Sequence, residues 1–344
     1  MKSVKAALLN LLTRLATLVQ DHPGLMAAFG FASGLASFFL VERNESLAQV
    51  IALLMLLSWA WLILERWLRL GIIKRFGFKM PPAVMRFATQ MVHQESLFFT
   101  LPFFLAATTW NHGQLVFTLL LITCALISLI DPIYYNWLAP KRGLFVAFHA
   151  LTLFAVLLVV NPLLLNLDTG QSLILALVLA LLFSLPSLKG FIPSGRWWRL
   201  PLISLMLVVM ATGAWQIRSW IPPASLRMTE ITLSQQMDRE QRVPGDSIRN
   251  IDVASLHRDG LFAWTAVRAP RGLNERIHHL WLLNGNEVDR ITVDIVGGRD
   301  QGYRAWTHKL NFPVNAEGNW QVRVVTDSGQ LIGLTRFTVE PASE

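Results

Sequence analysis

The sequence predicts a membrane all-α bundle of about seven transmembrane helices, followed by a C-terminal all-β sandwich of immunoglobulin-like kind. Three observations lead there. Uncharged apolar runs, most of about 18 residues, fill the first 220 positions, and a helix of that length rises about 27 Å, close to the hydrocarbon thickness of a bilayer. After Pro222-Pro223 the pattern changes to short segments rich in β-branched and aromatic residues, separated by turn signals. Over the whole chain hydrophobic residues make up 53% and charged residues 15%, with a mean hydropathy of +0.45, more apolar than one water-soluble globule.

In chain order, residues 1–20 form an amphipathic segment. Val4, Leu8, Leu11, Leu12, Leu15 and Val19 recur at helical spacing, with Lys2, Lys5 and Arg14 elsewhere on the wheel. Arg14 interrupts the apolar stretch that a cleaved leader requires, so an interfacial helix is expected. Apolar runs follow at 24–41, 46–64, 96–110, 114–130, 143–160, 171–188 and 200–217. The third is short and is expected to extend backward over 88–95, drawing His93 and Glu95 toward the interface. Asn111-His112-Gly113-Gln114 reads as a tight turn between the third and fourth runs.

Charge placement orients this arrangement. The net charge of +8 invites a nucleic-acid reading, but before residue 221 there are 16 Lys+Arg against 7 Asp+Glu, and after it 14 against 15. The basicity lies entirely in the apolar part, so no nucleic-acid partner is expected. With the N-terminus in the cytoplasm, the inside segments hold 14 Lys+Arg and the outside ones only Arg43 and Arg218. Under the positive-inside rule, seven crossings from an inside N-terminus then place the C-terminal β-domain outside. Tryptophans near the ends of runs (Trp59, Trp61, Trp67, Trp110, Trp137, Trp197, Trp198, Trp215 and Trp220) read as an aromatic belt. The single cysteine, Cys124, excludes a disulfide framework and a thiolate cluster.

Strands are expected at 226–234, 261–268, 277–283, 287–296, 303–310, 319–326 and 331–339, with turns at Asn284-Gly285, Gly297-Gly298, Glu317-Gly318 and Asp327-Ser328-Gly329. Segment 235–260 is polar, contains Pro244-Gly245, and reads as a long connection. The expected division is an interfacial helix over 1–20, a transmembrane domain over 21–220, a linker with the first strand over 221–260, and an extracytoplasmic β-sandwich over 261–344.

His279-x-Trp281, Asn284-Gly285, Gly302-Tyr303-Arg304-x-Trp306, Gly318-x-Trp320, Asp327-x-Gly329 and Phe337-x-Val339 resemble a bacterial C-terminal β-domain known only as a domain of unknown function. The resemblance spans about 260–340. Residues 1–220 look like the uncharacterised multi-pass region that precedes that domain in proteobacterial proteins. This implies a Gram-negative inner-membrane setting and no particular activity.

Chemistry-bearing residues are few. Ionisable groups within apolar runs are functional candidates because burying them in lipid is costly. Here they are Glu65, His93, Glu95, Asp131 and His149, all in the half facing the cytoplasm. They are expected to form a polar cluster in which a carboxylate pairs with His149 or a loop arginine, as an active network or as an ion-pair network fixing helix register. His93 and Glu95 are two apart, so on a helix they diverge by about 200° and cannot share a metal. Gly30-x-x-x-Gly34 and Pro102 give only slight support to a transporter with broken helices. His278 and His279 face opposite sides of a strand. Gly297-Gly298-Arg299-Asp300-Gln301-Gly302 resembles a phosphate loop in its glycines alone, and no hydrolase or nucleotide motif occurs.

The aromatic and basic set His279, Trp281, Arg304, Trp306 and Trp320 has two readings. Aromatic faces beside an arginine hold glycans or extended peptides, yet a sandwich core also needs tryptophan. Trp306 and Arg304 are expected outside, beside His308. The favoured function is a membrane-anchored scaffold whose β-sandwich presents a binding face to an envelope protein or glycan, with the lipid bilayer as its other partner and no cofactor. A transporter accessory capped by the β-domain and a membrane enzyme acting on lipid-linked substrates through Asp131, His149 and Glu95 are the alternatives.

Overall fold

The computed structural model describes residues 45–76, 82–188 and 198–341, together with helical positions 28–29, 31–33 and 35–36. The amphipathic segment 1–20 lies outside the described residues. Among the described residues, six helices of 16 residues or more precede the β-domain: α1 (Glu45–Phe76), α2 (Pro82–Ala107), α3 (Gln114–Leu129), α4 (Arg142–Leu165), α5 (Thr169–Leu188) and α6 (Arg199–Gln216). Their limits follow local chemistry. Pro82 opens α2 where a missing N–H costs nothing. Beyond α4, Asn166 takes a left-handed φ of 51°, a conformation common just past helix ends. The Asp168 carboxylate accepts the Gln171 N–H at 2.7 Å as α5 begins. The third apolar run does extend backward, since α2 starts at Pro82.

Among the described residues one helix, Arg142–Leu165, has the length and composition to cross a membrane, while apolar stretches 49–64, 114–129, 169–184 and 201–216 are shorter. A count of seven spans is therefore not supported. The reason is visible in α1, where Glu65, Arg66, Arg69, Lys74 and Arg75 fill the last turns and cut the apolar part short.

The chain forms two compact units. The first comprises residues 1–102, 120–156 and 178–206; the second comprises 103–119, 157–177 and 207–344. The first is helical. The second holds helix ends and the β-domain.

The β-domain contains β1 (Arg227–Ser234), β2 (Met237–Asp238), β3 (Val243–Pro244), β4 (Asn250–Asp252), a short helix α7 (Val253–Asp259), β5 (Leu261–Arg268), β6 (Asn274–Leu283), β7 (Asn286–Val296), β8 (Tyr303–Lys309), β9 (Gly318–Thr326) and β10 (Leu331–Glu340). One sheet has the order β1-β5-β8 and the other β4-β10-β9-β6-β7, with β2 and β3 as a small ribbon. Neighbours in the two main sheets are antiparallel except β4, which runs parallel to β10. The seven expected strands all form. Segment 235–260 differs from its reading as a connection: it supplies β2, β3, β4 and α7, and buries Ile251 and Leu256 in the core. Its three-residue strand and seven-residue helix are too short to show a hydrophobic period.

Alternation along the strands sends one set of side chains inward. Leu233, Leu261, Ala263, Trp281, Phe312, Trp320, Val322 and Phe337 form one apolar cluster, and Leu226, Val267, Ile277, Ile295, Ala305, Val324 and Ile332 another. Along β6 the step between the two clusters is His279, flanked inward by Ile277 and Trp281. A polar layer thus crosses the middle of the core.

Candidate functional site

In the helical unit, His93 on α2 is fully buried. Its Nδ1 lies 2.8 Å from the Tyr134 hydroxyl and its Nε2 lies 2.9 Å from Nδ1 of His149 on α4. Two imidazole nitrogens on one tetrahedral metal at about 2.05 Å would stand roughly 3.3 Å apart, so the closer pair here is a hydrogen bond. Tyr134 sits on a π-helical segment, Ile133–Leu138, closed by the Ala139 N–H donating to Tyr134 O at 2.9 Å. Such segments are rare and recur at functional sites. Trp59 from α1 covers the pair, with its ring centroid 4.8 Å from His149 and 5.7 Å from His93. Its Nε1–H donates to Ser96 Oγ at 2.8 Å. Phe148 edges onto His93 at 5.2 Å.

One helical turn before His93, the Gln90 amide donates to Asp131 Oδ1 at 2.6 Å and to the Ser128 carbonyl at 3.0 Å. The expected cluster is thus rearranged. His93 and His149 do meet, but each other rather than a carboxylate, because two neutral rings are cheaper to bury than an ion pair. Asp131 is held by Gln90. Glu95 is half-buried, and no hydrogen bond or ion pair joins it to the histidines among the described residues. Glu65 lies on α1 with its side chain outside the described residues. Sequence reasoning missed Tyr134, Gln90 and Ser96. It also placed Trp59 in an aromatic belt, whereas Trp59 is buried in this network. Trp110, Trp137, Trp215 and Trp220 are exposed.

In the β-sandwich, three of the five proposed ligand-binding residues are core. Trp281 and Trp320 are fully buried, and the Trp320 Nε1–H donates to Ala316 O at 2.7 Å. The His279 ring is bracketed by Thr307 Oγ1 at 2.9 Å and Thr265 Oγ1 at 3.2 Å. Burial, with His278 next to it, lowers the His279 pKa to about 4, so it is neutral in the folded protein at neutral pH. Trp306 and Arg304 lie on the other face of the β1-β5-β8 sheet, both partly exposed. Trp306 is directly opposite Trp264, and Phe262 is opposite His308. The last two stack with centroids 3.8 Å apart and planes 7° from parallel. The His308 Nε2–H donates to Asp259 O at 3.1 Å, which fixes the tautomer. Arg304 donates to Gln241 O and Gln301 Oε1, both at 3.3 Å. The glycine-rich loop is a turn: Gly297 N–H donates to Leu273 O and Gly298 N–H to Ala269 O, so these amides are spent.

The second unit also ties helix ends to the sandwich. Buried Glu275 on β6 accepts the Thr169 N–H at 2.9 Å and the Thr169 hydroxyl at 2.7 Å, capping the start of α5. Burial pushes the Glu275 carboxyl up to about 7; Asp168 and Asp327 add to the rise, and the two Thr169 bonds oppose it. Around the β9–β10 turn, Arg218 Nε–H donates to Ser328 O, Gln330 Nε2–H to Ile221 O and Gln114 Nε2–H to Leu331 O.

Residues 4–263 match a family described as a family of unknown function (DUF5924). The chain belongs to that family. Residues 274–339 match a second one, described as a protein of unknown function (DUF2914). No curated protein and no solved structure matches the chain. The expected resemblance is met at the level of these two uncharacterised families; a proteobacterial source and a membrane setting do not follow from it. The first match ends inside β5 and the second begins at β6, so strands from both matched regions build the sandwich.

Proposed function

We propose that this DUF5924 member is a multi-pass protein of the bacterial inner membrane, N-terminus in the cytoplasm, whose periplasmic β-sandwich offers a fixed binding face to an envelope protein or glycan. The observation that carries the binding reading is the outer face of the β1-β5-β8 sheet. There the partly exposed Trp306 lies between Arg304 and His308, with Phe262 and Trp264, both buried, beside them on β5. Aromatic faces next to a guanidinium suit sugar rings and extended peptides. The order β1-β5-β8 against β10-β9-β6-β7, with buried Trp281 on β6, supports the immunoglobulin-like form common to such modules.

The membrane reading rests on surface chemistry. Leu53, Leu54 and Leu57 on α1, Leu126 on α3, Leu182 on α5 and Leu205 on α6 are about half exposed in the first unit. So are Val116 and Leu119 on α3, Ile174 on α5 and Val208 and Val209 on α6 in the second. Helices that show leucine and valine outward along their length are solvated by lipid more cheaply than by water. The basic bias of the helix-connecting segments supplies the orientation.

The test uses full-length protein in detergent, passed over immobilised peptidoglycan and envelope extract. A retained partner, lost by about tenfold in W306A and R304A with unfolding temperature unchanged, is the expected result. No retention by the native protein, or retention indifferent to W306A, refutes the binding face. A reporter fused after residue 344 reads the compartment independently.

A further inference from the structure

The turn joining α4 to α5 meets the sandwich at three points, all within the second unit. A Cβ on Gly272, in the loop before β6, would stand 3.4 Å from Asn166 Oδ1, and one on Gly170 would stand 3.2 Å from the Ser328 Cβ in the β9–β10 turn. The third point is Glu275, 5% exposed, whose carboxyl holds the Thr169 N–H and hydroxyl. Among the described residues both of its hydrogen-bond donors are thus neutral. The charges that act on it, Asp168 at the start of α5 and Asp327 in the β9–β10 turn, share its sign. Ile295, opposite it on β7, is apolar and buried. The cations on these elements are engaged elsewhere. Arg276, next along β6, reaches Asp294 at 3.4 Å and Asp327 at 4.0 Å, and His278 reaches Asp327 at 2.6 Å. Arg271, before β6, lies against Gly298, and Arg218 donates to the Ser328 carbonyl.

We propose that this cluster is a proton-gated clasp: a protonated Glu275 holds the α4–α5 turn to the sandwich, and an ionised one, facing Asp168 and Asp327, releases it. Protonation loses no bond, since one carboxyl oxygen still accepts the Thr169 N–H while the new O–H donates to Thr169 Oγ1. Ionisation keeps both Thr169 bonds, which favour the charge. It also sets burial and two like charges against that charge, and opening to water relieves both. The closed carboxyl takes its proton at about 7, against 4.5 for a free one. The contribution of Glu275 to closure is therefore full below pH 4.5 and is lost as pH rises through 7. Between pH 5 and 8 those two values correspond to an increase in opening of about 70-fold. The acidity of the compartment that bathes the sandwich thus sets how firmly it is seated on these helix ends. This device depends on neither the membrane reading nor the binding face.

The experiment follows hydrogen–deuterium exchange of the Thr169 amide, by mass spectrometry of peptides spanning 167–173, in full-length protein held in detergent at pH 5, 6, 7 and 8. Each rate is divided by the intrinsic exchange rate at that pH, so that only opening remains. The corrected rate should rise about 70-fold over the series in the native protein. In E275Q, whose amide keeps both Thr169 bonds, it should stay constant. D168N, which can still accept the Gln171 N–H as Asp168 does, removes one like charge and should give a smaller rise than the native protein. A native rate that does not change with pH overturns the clasp. So does an E275Q protein that rises as the native one does, because another group would then carry the proton. The D168N comparison stands without E275Q: a rise equal to the native one overturns the part assigned to the clustered charges.

Discussion

Replacing Glu275 by glutamine should reshape the pH dependence of stability, because β6 carries two buried groups whose protonation preferences oppose each other. The Glu275 carboxyl rises from 4.5 to about 7 in the folded protein. Between those values the folded state holds a proton that the unfolded state releases, so stability falls as pH rises. At 1.36 kcal/mol per unit the fall is about 3 kcal/mol. His279 works the other way. Its pKa drops from 6.5 to about 4, the unfolded chain binds the extra proton, and stability rises by about 3 kcal/mol over that window. From pH 4.5 to 6.5 the two slopes cancel, and the native protein should show a nearly flat unfolding temperature.

In E275Q the amide oxygen still accepts the Thr169 N–H and the amide N–H can donate to the Thr169 hydroxyl, so the cap survives while the titration does not. The His279 slope is then uncovered. Unfolding followed by near-ultraviolet dichroism of the buried tryptophans should show E275Q gaining about 10 °C from pH 4 to 6.5 and levelling off above. A flat E275Q profile would show that His279 takes up no extra proton on unfolding, and a native profile as steep as that of E275Q would show that Glu275 holds no extra proton in the folded protein; either result refutes the opposed-pair account.

Two further outcomes follow from the sandwich. Lys309 is buried and bonded through Nζ to Asp289 Oδ2, so D289A strands an ammonium and should cost about 3 kcal/mol in chemical denaturation, whereas K309M should be near neutral. An added Cβ at Gly297 would lie 1.8 Å from the Pro270 carbonyl oxygen, while Gly285 has open space at a φ of 89°. G297A should therefore lose about 3 kcal/mol or more by the same measurement, and G285A only about 1 kcal/mol.

Strands such as β8 were legible by their alternation of buried and partly exposed positions, β5 and β6, buried along most of their length, by their β-branched and aromatic residues, and Asn284-Gly285 marked the β6–β7 turn by its demand for positive φ at both positions, observed at 49° and 89°. His93 and His149 were legible as misfits in apolar runs. Their partners were not, since pairing by opposite charge points to Glu65, Glu95 or Asp131, while the bundle economises by pairing neutral groups. Tyr134 and Trp59 gave no signal: an aromatic near the end of an apolar run has the same local sequence whether it faces lipid or a buried imidazole. Of the sandwich set, composition could not separate Trp281 and Trp320 from Trp306. Strand register does so, because Trp281 and Trp320 point between the sheets and Trp306 points away.

The division of the sandwich between the two matched regions bears on what the C-terminal region can do by itself. Residues 274–339 hold β6 to β9 and nearly all of β10, but neither β1 nor β5. Those two strands bring Leu233, Leu261, Ala263 and Val267 over the Trp281 and Val324 side, and Thr265 to one nitrogen of His279. Without them β8 has no partner in its sheet, and a buried histidine loses half its hydrogen bonding, a cost of about 1–3 kcal/mol before any apolar loss. Glu275, too, needs Thr169, which lies far upstream, to satisfy both of its oxygens. The binding face shows the same dependence: Trp306 and His308 belong to the second matched region, and Trp264 and Phe262, against which they lie, come from β5. The face that we assign to an envelope partner is therefore a property of the whole chain: the upstream region supplies the buried β5 aromatics beside Trp306 and His308, and the Gln241 carbonyl that holds Arg304.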